Sequence, residues 1–201
     1  MTLEPQARLA SDQTVTVRQL TPSEWESNKG LRLEALEREP QAFGTSYSEA
    51  AQKPDTYWQQ RLQQVEAGQG AWMLFAFRAD CSIGMAGAYT TGVGKVDIIS
   101  VYVTVTERGH GISRMLMESL IRQIGEDPSV QAMSLTVNKE QCAAVGLYTS
   151  LGFAIVGETS SEMGDGRIHD EYVMQKSLGN IALLEIEPVS AWNCCTTTDI
   201  E

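Results

Sequence analysis

The chain has 201 residues, of which 42% are hydrophobic and 20% charged, and its formal net charge is −11 at pH 7. This length and composition predict one globular domain with a short additional segment. Nucleic-acid binding needs clustered Lys and Arg, so the acidic balance argues against a nucleic-acid partner; it is compatible with a cationic amine substrate or with solubility alone.

Cysteine and histidine are sparse. The two histidines and the absence of a CxxC pair predict no metal site, and the cysteine spacing indicates no disulfide framework. No apolar signal segment begins the chain, and its longest uncharged run, Gln141 to Gly157, is too polar for a membrane span. We therefore expect a cytoplasmic protein with no membrane partner. The cysteines are Cys81, Cys142, Cys194 and Cys195.

The first third of the chain predicts a strand followed by two helices. Thr14 to Leu20 alternates as a strand does. Thr21, Pro22 and Glu24 form a capping-box pattern, so a helix is expected from there to about Glu39, before Pro40. A loop over Gln41 to Gln52 and a helix over Tyr57 to Glu66 follow.

The rest of the chain predicts six strands and two helices. Val101, Val103 and Val105 are expected on one face of their strand. The predicted strands are Ala71–Phe77, Ser82–Thr90, Val96–Val105, Gln131–Asn138, Phe153–Thr159 and Ile168–Lys176, and the helices are Ile112–Ile124 and Gln141–Ser150. This pattern predicts a mixed α/β domain around one sheet. From Gly179 to Glu201 the chain becomes acidic, and we expect an appendage with a strand over Ile181 to Ile186.

The most informative segment is the turn between the third of these strands and its helix. Arg108, Gly109 and Gly111 directly precede Ile112, where the helix begins. Glycines allow close approach of a ligand, and helix N-termini attract anions. The segment matches neither the P-loop nor the GxGxxG dinucleotide pattern, because position 114 is Arg. An ordinary strand-to-helix turn remains the alternative on this segment alone.

Three segments in order resemble the GNAT superfamily of N-acetyltransferases. Arg-Gly-x-Gly-Ile-x-Arg-x-Leu from Arg108 is similar to the coenzyme A pyrophosphate loop of that family. The segment from Val137 to Phe153, with its Leu-Tyr-x-x-Leu-Gly-Phe ending, resembles a later strand and helix of the family. Leu31 to Gly44 resembles its first helix and loop. The sequence departs from the family pattern at three positions. Ser113 stands where the family often has Gly or Ala, Val105 stands where it often has Pro, and Gln141 stands where it often has Asn.

The resemblance covers about Val15 to Leu178 and implies a fold. That fold is a mixed sheet of about seven strands flanked by about four helices, in a domain spanning residues 1–178, with 179–201 as an extension. It further implies acetyl-CoA as cosubstrate, held between two parallel strands. The residues implied for this binding are Val101, Val103, Arg108, Gly109, His110, Gly111, Ile112, Ser113, Arg114 and Asn138.

The resemblance also implies direct attack of a primary amine, from a small molecule or a peptide, on the thioester. Tyr148 is expected to protonate the leaving thiolate, since a phenol stays protonated at neutral pH. A backbone N–H between Val101 and Val103 would face the oxyanion. Asp97 and Glu34 are the carboxylates expected near the amine, as base, water relay or cation binder. Cys142, without a histidine partner, is expected to pack within its helix.

Two other functions remain open at this stage. The same fold could bind acyl-CoA as a sensor without turnover, although Tyr148 and Asp97 favour an enzyme. A nucleotide-binding module is disfavoured, because neither phosphate fingerprint matches. The sequence does not determine the oligomeric state, and a homodimer remains one of the alternatives.

Overall fold

The structure is a computed structural model that describes residues 14–178. Within this range the chain forms seven strands and five α-helices, together with three single 3₁₀ turns. The strands are β1 (Val15–Arg18), β2 (Ala71–Arg78), β3 (Cys81–Gly92), β4 (Lys95–Val103), β5 (Ala132–Asn138), β6 (Ala154–Glu162) and β7 (Ile168–Ser177). The helices are α1 (Trp25–Arg38), α2 (Tyr47–Ala51), α3 (Asp55–Glu66), α4 (Ile112–Gly125) and α5 (Cys142–Ser150).

The strands form one mixed sheet in the order β1-β2-β3-β4-β5-β7-β6. Every neighbouring pair is antiparallel except β4 and β5, which run parallel. A parallel pair needs a crossover connection, and α4 supplies it. The predicted mixed α/β sheet of about seven strands, with one central parallel pair, is therefore confirmed.

Helices cover both faces of the sheet, and each face has its own core. Leu31 and Leu36 of α1 and Leu62 of α3 share one core with Phe75 and Met85 of the sheet. On the opposite face the sheet meets α4 and α5. The buried residues of that second core include Val96, Ile98, Val103, Leu116, Met117, Leu120, Met133, Leu135, Val137 and Tyr148. The sheet is thus the middle layer of three.

The predicted capping box at the start of the first helix is present. The Thr21 backbone N–H donates to the Glu24 carboxylate at 2.9 Å, and the Glu24 N–H donates to the Thr21 carbonyl at 3.0 Å. Pro22 to Glu24 form a 3₁₀ turn, and α1 begins one residue later.

A short helix lies where a loop was predicted. α2 occupies residues 47–51, and the Ser46 hydroxyl caps it by accepting the Glu49 N–H at 3.2 Å. A helix of five residues is too short to show helical periodicity, so the sequence pattern did not indicate it. The described residues therefore contain five α-helices where about four were expected.

The strand β4 is shorter than predicted. It ends at Val103, and Val105 lies in a 3₁₀ turn with its side chain 53% exposed. The expectation that Val105 lies on one face of the strand with Val101 and Val103 is wrong, because the strand ends before Val105. The Thr104 N–H, which donates to the Ile83 carbonyl at 2.9 Å, is the last link to β3 before the chain turns away.

The predicted strand over Ile181 to Ile186, Cys194 and Cys195 lie outside the described residues. No helix within residues 14–178 has both the length and the apolar character needed to cross a membrane.

Candidate active site

The two parallel strands separate soon after they meet. Their pairing covers Lys95 with Ala132, Val96 with Met133 and Asp97 with Ser134. β4 continues to Val103 and β5 to Asn138, and residues 14–178 show no further pairing between them. The result is a wedge-shaped gap, bordered by backbone groups of both strands that have no strand partner across it.

A β-bulge at Ser100 shapes the β4 side of this gap. Ser100 has a φ of 58°, a left-handed conformation that non-glycine residues rarely adopt. The register with β3 shifts there, from Gly87 opposite Ile99 to Met85 opposite Tyr102. The extra residue explains the buried pattern, since Ile98 and Val103, five positions apart, both contact the α4 core.

The turn after β4 presents backbone donors at the start of α4. Gly109 and Gly111 have φ values of 81° and 78°. No atom lies within 4 Å of a Cβ built on either, so glycine is favoured there by conformation and not by lack of space. The Arg108 N–H donates to the Val105 carbonyl at 3.3 Å, whereas no backbone acceptor among the described residues takes the N–H groups of residues 109–114. These donors and the helix N-terminus form an anion-binding geometry.

The two arginines of the turn differ in their partners. Arg108 forms an ion pair with Glu39 at 2.8 Å, and its Nε donates to the Val103 carbonyl at 3.0 Å. Its side chain therefore ties the turn to the end of α1, a role that the sequence did not predict. Arg114 lies along α4, where it pairs with Glu118 at 3.4 Å and donates to the Ser150 hydroxyl at 2.6 Å.

A shallow, open depression of about 560 Å³ runs along the exposed face of α4, from His110 before the helix to Arg122. His110, Gly111, Arg114 and Met115 are among the residues that line it. His110 is exposed, and its Nδ1 lies 3.2 Å from the Glu107 carbonyl. Ile112 is buried in the core and Ser113 is half-buried, so these two residues offer the turn mainly their backbone N–H groups.

Tyr148 lies on α5, in the core on the α4 side of the sheet. Its ring is buried and packs edge-on against Phe153, with 6.3 Å between ring centroids. Its hydroxyl has no hydrogen-bond partner among residues 14–178, and burial raises the pKa of the phenol above its ordinary value. The side chain therefore remains a proton donor across the physiological range.

A row of polar residues lies on the opposite face of β4 and β5. Met133, Leu135 and Val137 pack against α4, so the alternation of a strand places Ser134, Thr136 and Asn138 on the α1 side. Asp97 pairs with Ser134 on the same face, and the Ser134 hydroxyl donates to its carboxylate. Burial raises the pKa of Asp97, and the hydrogen bonds from Ser134 and Thr91 only partly oppose the rise.

Glu34 reaches the β4 side of the gap from α1. The Tyr102 hydroxyl donates to its Oε1 at 2.9 Å, and burial together with the Glu34 carboxylate raises the pKa of Tyr102. Arg32, on the same helix, donates to the Ser100 hydroxyl at 3.4 Å. Asp97 at the closed end of the gap and Glu34 on its β4 side therefore both belong to the α1 face.

Asn138 ends β5 with its side chain buried. Its Nδ2 donates to His169 Nδ1 at 3.1 Å and to the Gln41 carbonyl at 3.4 Å, and its Oδ1 accepts the Glu140 N–H at 2.9 Å. These contacts join three segments of the chain. The expected position beside pantetheine therefore falls on a residue whose amide is already hydrogen-bonded within the protein.

Glu171 of β7 is a buried carboxylate beside Asn138, with which it pairs across the strands. The hydroxyls of Ser161 and Thr136 hydrogen-bond to it, and burial raises its pKa. The sequence alone predicted no role for Glu171, His169, Tyr102 or Ser100. Their local sequence carries no signal, since each acquires its contacts from distant segments.

Cys142 corrects one expectation. It is exposed at the first residue of α5, so the interpretation that it packs within the helix is wrong. The first turn of a helix places only part of its surface against the core. Across residues 14–178 no group of three or more His, Cys, Asp or Glu side chains has a geometry suited to a metal ion.

Comparisons with known proteins place the chain in a family. The model of the acetyltransferase (GNAT) family matches residues 33–153. A GNAT-family acetyltransferase from Streptococcus pneumoniae superposes with a TM-score of 0.73, at 18% identity, over 82% of this chain and 99% of its own. The protein yncA from Salmonella typhimurium, solved with acetyl-CoA, has a TM-score of 0.67 at 22% identity, over 86% and 99%.

A ribosomal-protein-alanine N-acetyltransferase from Brucella melitensis has a TM-score of 0.69 at 22% identity, over 81% of this chain and 99% of its own. No curated protein matches the chain in sequence. At these identities the structural neighbours establish the fold, and the family match covers more than half of the chain. The chain is therefore a member of the GNAT family and an acetyltransferase.

Proposed function

We propose that the protein transfers an acetyl group from acetyl-CoA to a primary amine of a small molecule or a peptide by direct attack. The observation that carries this proposal is the gap between β4 and β5, which opens beside the anion-binding turn at the start of α4. A long cosubstrate with a pyrophosphate at one end and amides along its arm matches both features. The sheet gap accepts the arm and the turn accepts the phosphates.

The N–H groups of residues 109–114 are the proposed pyrophosphate ligands. Their lack of backbone acceptors within the described chain supports this assignment. Arg108 and Arg114 both form ion pairs, with Glu39 at 2.8 Å and with Glu118 at 3.4 Å. Arg114 also lines the depression over the start of α4, so it is the arginine proposed to add positive charge there. Beyond Asp97, the edge of β4 that faces β5 is not paired with it. The backbone groups of Val101 and Val103 on this edge are proposed to pair with the pantetheine amides.

The proposed chemistry needs one proton acceptor and one proton donor. The neutral amine nitrogen attacks the thioester carbonyl and forms the new C–N bond, and the C–S bond then breaks. The proton that leaves the nitrogen passes to a carboxylate, and the thiolate takes a proton from Tyr148. A backbone N–H at the bulge between Ser100 and Val103 is proposed to stabilise the oxyanion.

We propose different roles for the two carboxylates on the amine side of the gap, Asp97 and Glu34. Burial raises the pKa of Asp97, which makes it a better base than an ordinary aspartate. Glu34 already accepts the Tyr102 hydroxyl, and we assign it to orienting or binding the cationic amine. The excess of acidic residues in the chain supports a cationic acceptor.

The proposal is tested by thiol release from acetyl-CoA with a panel of small amines and peptides. Peptides that begin with alanine belong in the panel, since the Brucella neighbour is named for ribosomal-protein alanine. We expect Tyr148→Phe to lower kcat by about a hundredfold with little change in acetyl-CoA affinity, because the acid is lost while the ring remains.

Tyr57→Phe is the matched control, since it removes a phenol hydroxyl from α3, outside the gap. This variant is expected to keep wild-type turnover. Equal turnover in Tyr148→Phe and wild type would discard the acid role and keep the enzyme. Tight acetyl-CoA binding without turnover on any amine would contradict transfer to these acceptors and favour an acyl-CoA sensor.

A further inference from the structure

The open end of the gap is bridged on its α1 side by two segments that touch. One is the loop of residues 39–45 after α1, and the other is the turn between β6 and β7. The Gly164 N–H donates to the Phe43 carbonyl at 2.7 Å. A Cβ on Gly164 would lie 2.6 Å from the Thr45 carbonyl oxygen, so only glycine allows this approach without movement. We call this contact the bridge.

Asn138 ties the bridge to the end of β5. Its Oδ1 accepts the Glu140 N–H at 2.9 Å, which sets the orientation of the amide. The Nδ2 group must then be the atom that faces the Gln41 carbonyl at 3.4 Å and His169 Nδ1 at 3.1 Å. One buried amide thus holds both sides of the bridge.

The same geometry assigns the tautomer of His169. An amide NH₂ group only donates, so Nδ1 of His169 must accept, and the proton of a neutral ring lies on Nε2. Nε2 is 2.9 Å from Asp165 Oδ2, in the β6–β7 turn, and donates to that carboxylate. This bond holds the pKa of Asp165 below its usual range. The hydrogen bonds therefore run in one direction: Asn138 donates to His169, and His169 donates to Asp165.

We infer that His169 is a positioning residue for the acceptor: acting through Asn138, it holds the bridge where it borders the polar row of β5 that receives the amine. The inference rests on the proposed function. Asn138 shares its face with Ser134 and Thr136. The anion-binding turn at the head of α4 contacts the loop of residues 39–45 through the Arg108–Glu39 ion pair, and the bonds of Asn138 and His169 take no part in that contact. Loosening the bridge should therefore weaken binding of the amine and leave acetyl-CoA binding intact.

The kinetic test compares two substitutions at position 169. His169→Ala removes the acceptor for Asn138, and we expect the KM for the amine to rise about tenfold, with kcat and acetyl-CoA affinity nearly unchanged. His169→Asn is the conservative variant, since its Oδ1 lies as many bonds from Cβ as Nδ1 does and can accept from Asn138. It should recover most of the lost amine affinity. An unchanged KM in His169→Ala, or an equal loss for amine, acetyl-CoA and thermal stability, would overturn the role.

The hydrogen-bond network has a test that needs no turnover. The chain contains two histidines, so ring ¹⁵N spectra of the untagged protein resolve each, and His110→Ala assigns them. We expect the neutral ring of His169 to be the Nε2–H tautomer. An Nδ1–H tautomer would overturn the network even if the enzyme is active. Failure of every amine in the panel would instead remove the proposed function and with it the positioning role, while the spectra still report on the network.

Discussion

At the scale of a single residue, burial changes the pKa of the Asp97 carboxylate. It lies at the closed end of the gap, where strand pairing limits its access to water, and burial raises its pKa. The hydroxyl of Ser134 opposes this shift by stabilising the charged form. The pKa of Asp97 is thus set first by burial and then by the hydroxyls of Ser134 on β5 and Thr91 on β3, with a smaller contribution from Lys95.

We expect Asp97→Asn to lower kcat/KM for the amine by about a hundredfold while acetyl-CoA still binds. Asp97 must be ionised to accept a proton, so wild-type activity should fall on acidification from a pH above the ordinary range of aspartate. Pre-steady-state and steady-state rates against pH measure both effects. Ser134→Ala should move the acidic limb to still higher pH, because it removes a bond that lowers the pKa.

Asp80→Asn is the control for Asp97→Asn. It makes the same change of charge at an exposed position between β2 and β3 and should leave the amine rates unchanged. Equal losses in Asp80→Asn and Asp97→Asn would point to overall charge, and an Asp97→Asn variant with wild-type rates would remove Asp97 from the proposed chemistry.

At the scale of elements, β4 and the turn after it organise the site. The bulge at Ser100 reverses which residues face α4, and the end of the strand at Val103 places the glycine turn beside the gap. Both glycines of the turn hold positive φ, which L-residues adopt at a cost of roughly 1–2 kcal/mol.

Gly109→Ala and Gly111→Ala should each destabilise the fold by about 1 kcal/mol and weaken acetyl-CoA binding by about tenfold. The added methyl meets no atom within 4 Å, so the strain arises from the backbone and reorients the N–H groups of the turn. Calorimetric titration with acetyl-CoA and chemical denaturation measure the two effects.

Gly146→Ala provides the matched control, because Gly146 lies within α5 without positive φ and with space for a methyl. Alanine favours a helix interior, so this variant should be as stable as wild type or more so. A comparable loss of acetyl-CoA affinity in Gly146→Ala would contradict a special role for the turn.

At the scale of the whole molecule, two cores on either side of one sheet hold the site in place. The core under α1 and α3 positions Glu34, and the core under α4 and α5 positions Tyr148. Opposite faces of the sheet thus supply the residues proposed for the amine and for the leaving thiolate, and the gap between β4 and β5 connects them.

A chain that ends at Leu178 should fold and bind acetyl-CoA like the full-length protein. Among the described residues, both cores are complete with Leu178, which packs against one of them and donates to the Gln131 carbonyl at 2.8 Å. We expect a melting temperature within about 3 °C of the full chain, since none of these core contacts is removed. Loss of cooperative unfolding or of acetyl-CoA binding would show that residues 179–201 belong to the domain.

The sequence by itself determined the features that depend on neighbours in the chain. Alternation predicted the strands, the three-to-four residue spacing predicted the longer helices, and the glycine pattern from Arg108 predicted the turn at α4. These signals survive without tertiary contacts, because backbone conformation and the periodic exposure of an element are local properties. The family was indicated separately, by the resemblance of three motifs that include the turn from Arg108.

Only the tertiary structure decided which side chains meet. Glu34 and Tyr102 lie 68 positions apart, Asn138 and His169 lie 31 apart, and Gln41 and Asn138 lie 97 apart. Sheet order and helix packing bring each pair together, and no local pattern encodes that choice. For the same reason the partner of Arg108, the exposure of Cys142 and the bulge at Ser100 emerged only in the fold: burial and pairing are properties of the assembled sheet, set by contacts from distant segments.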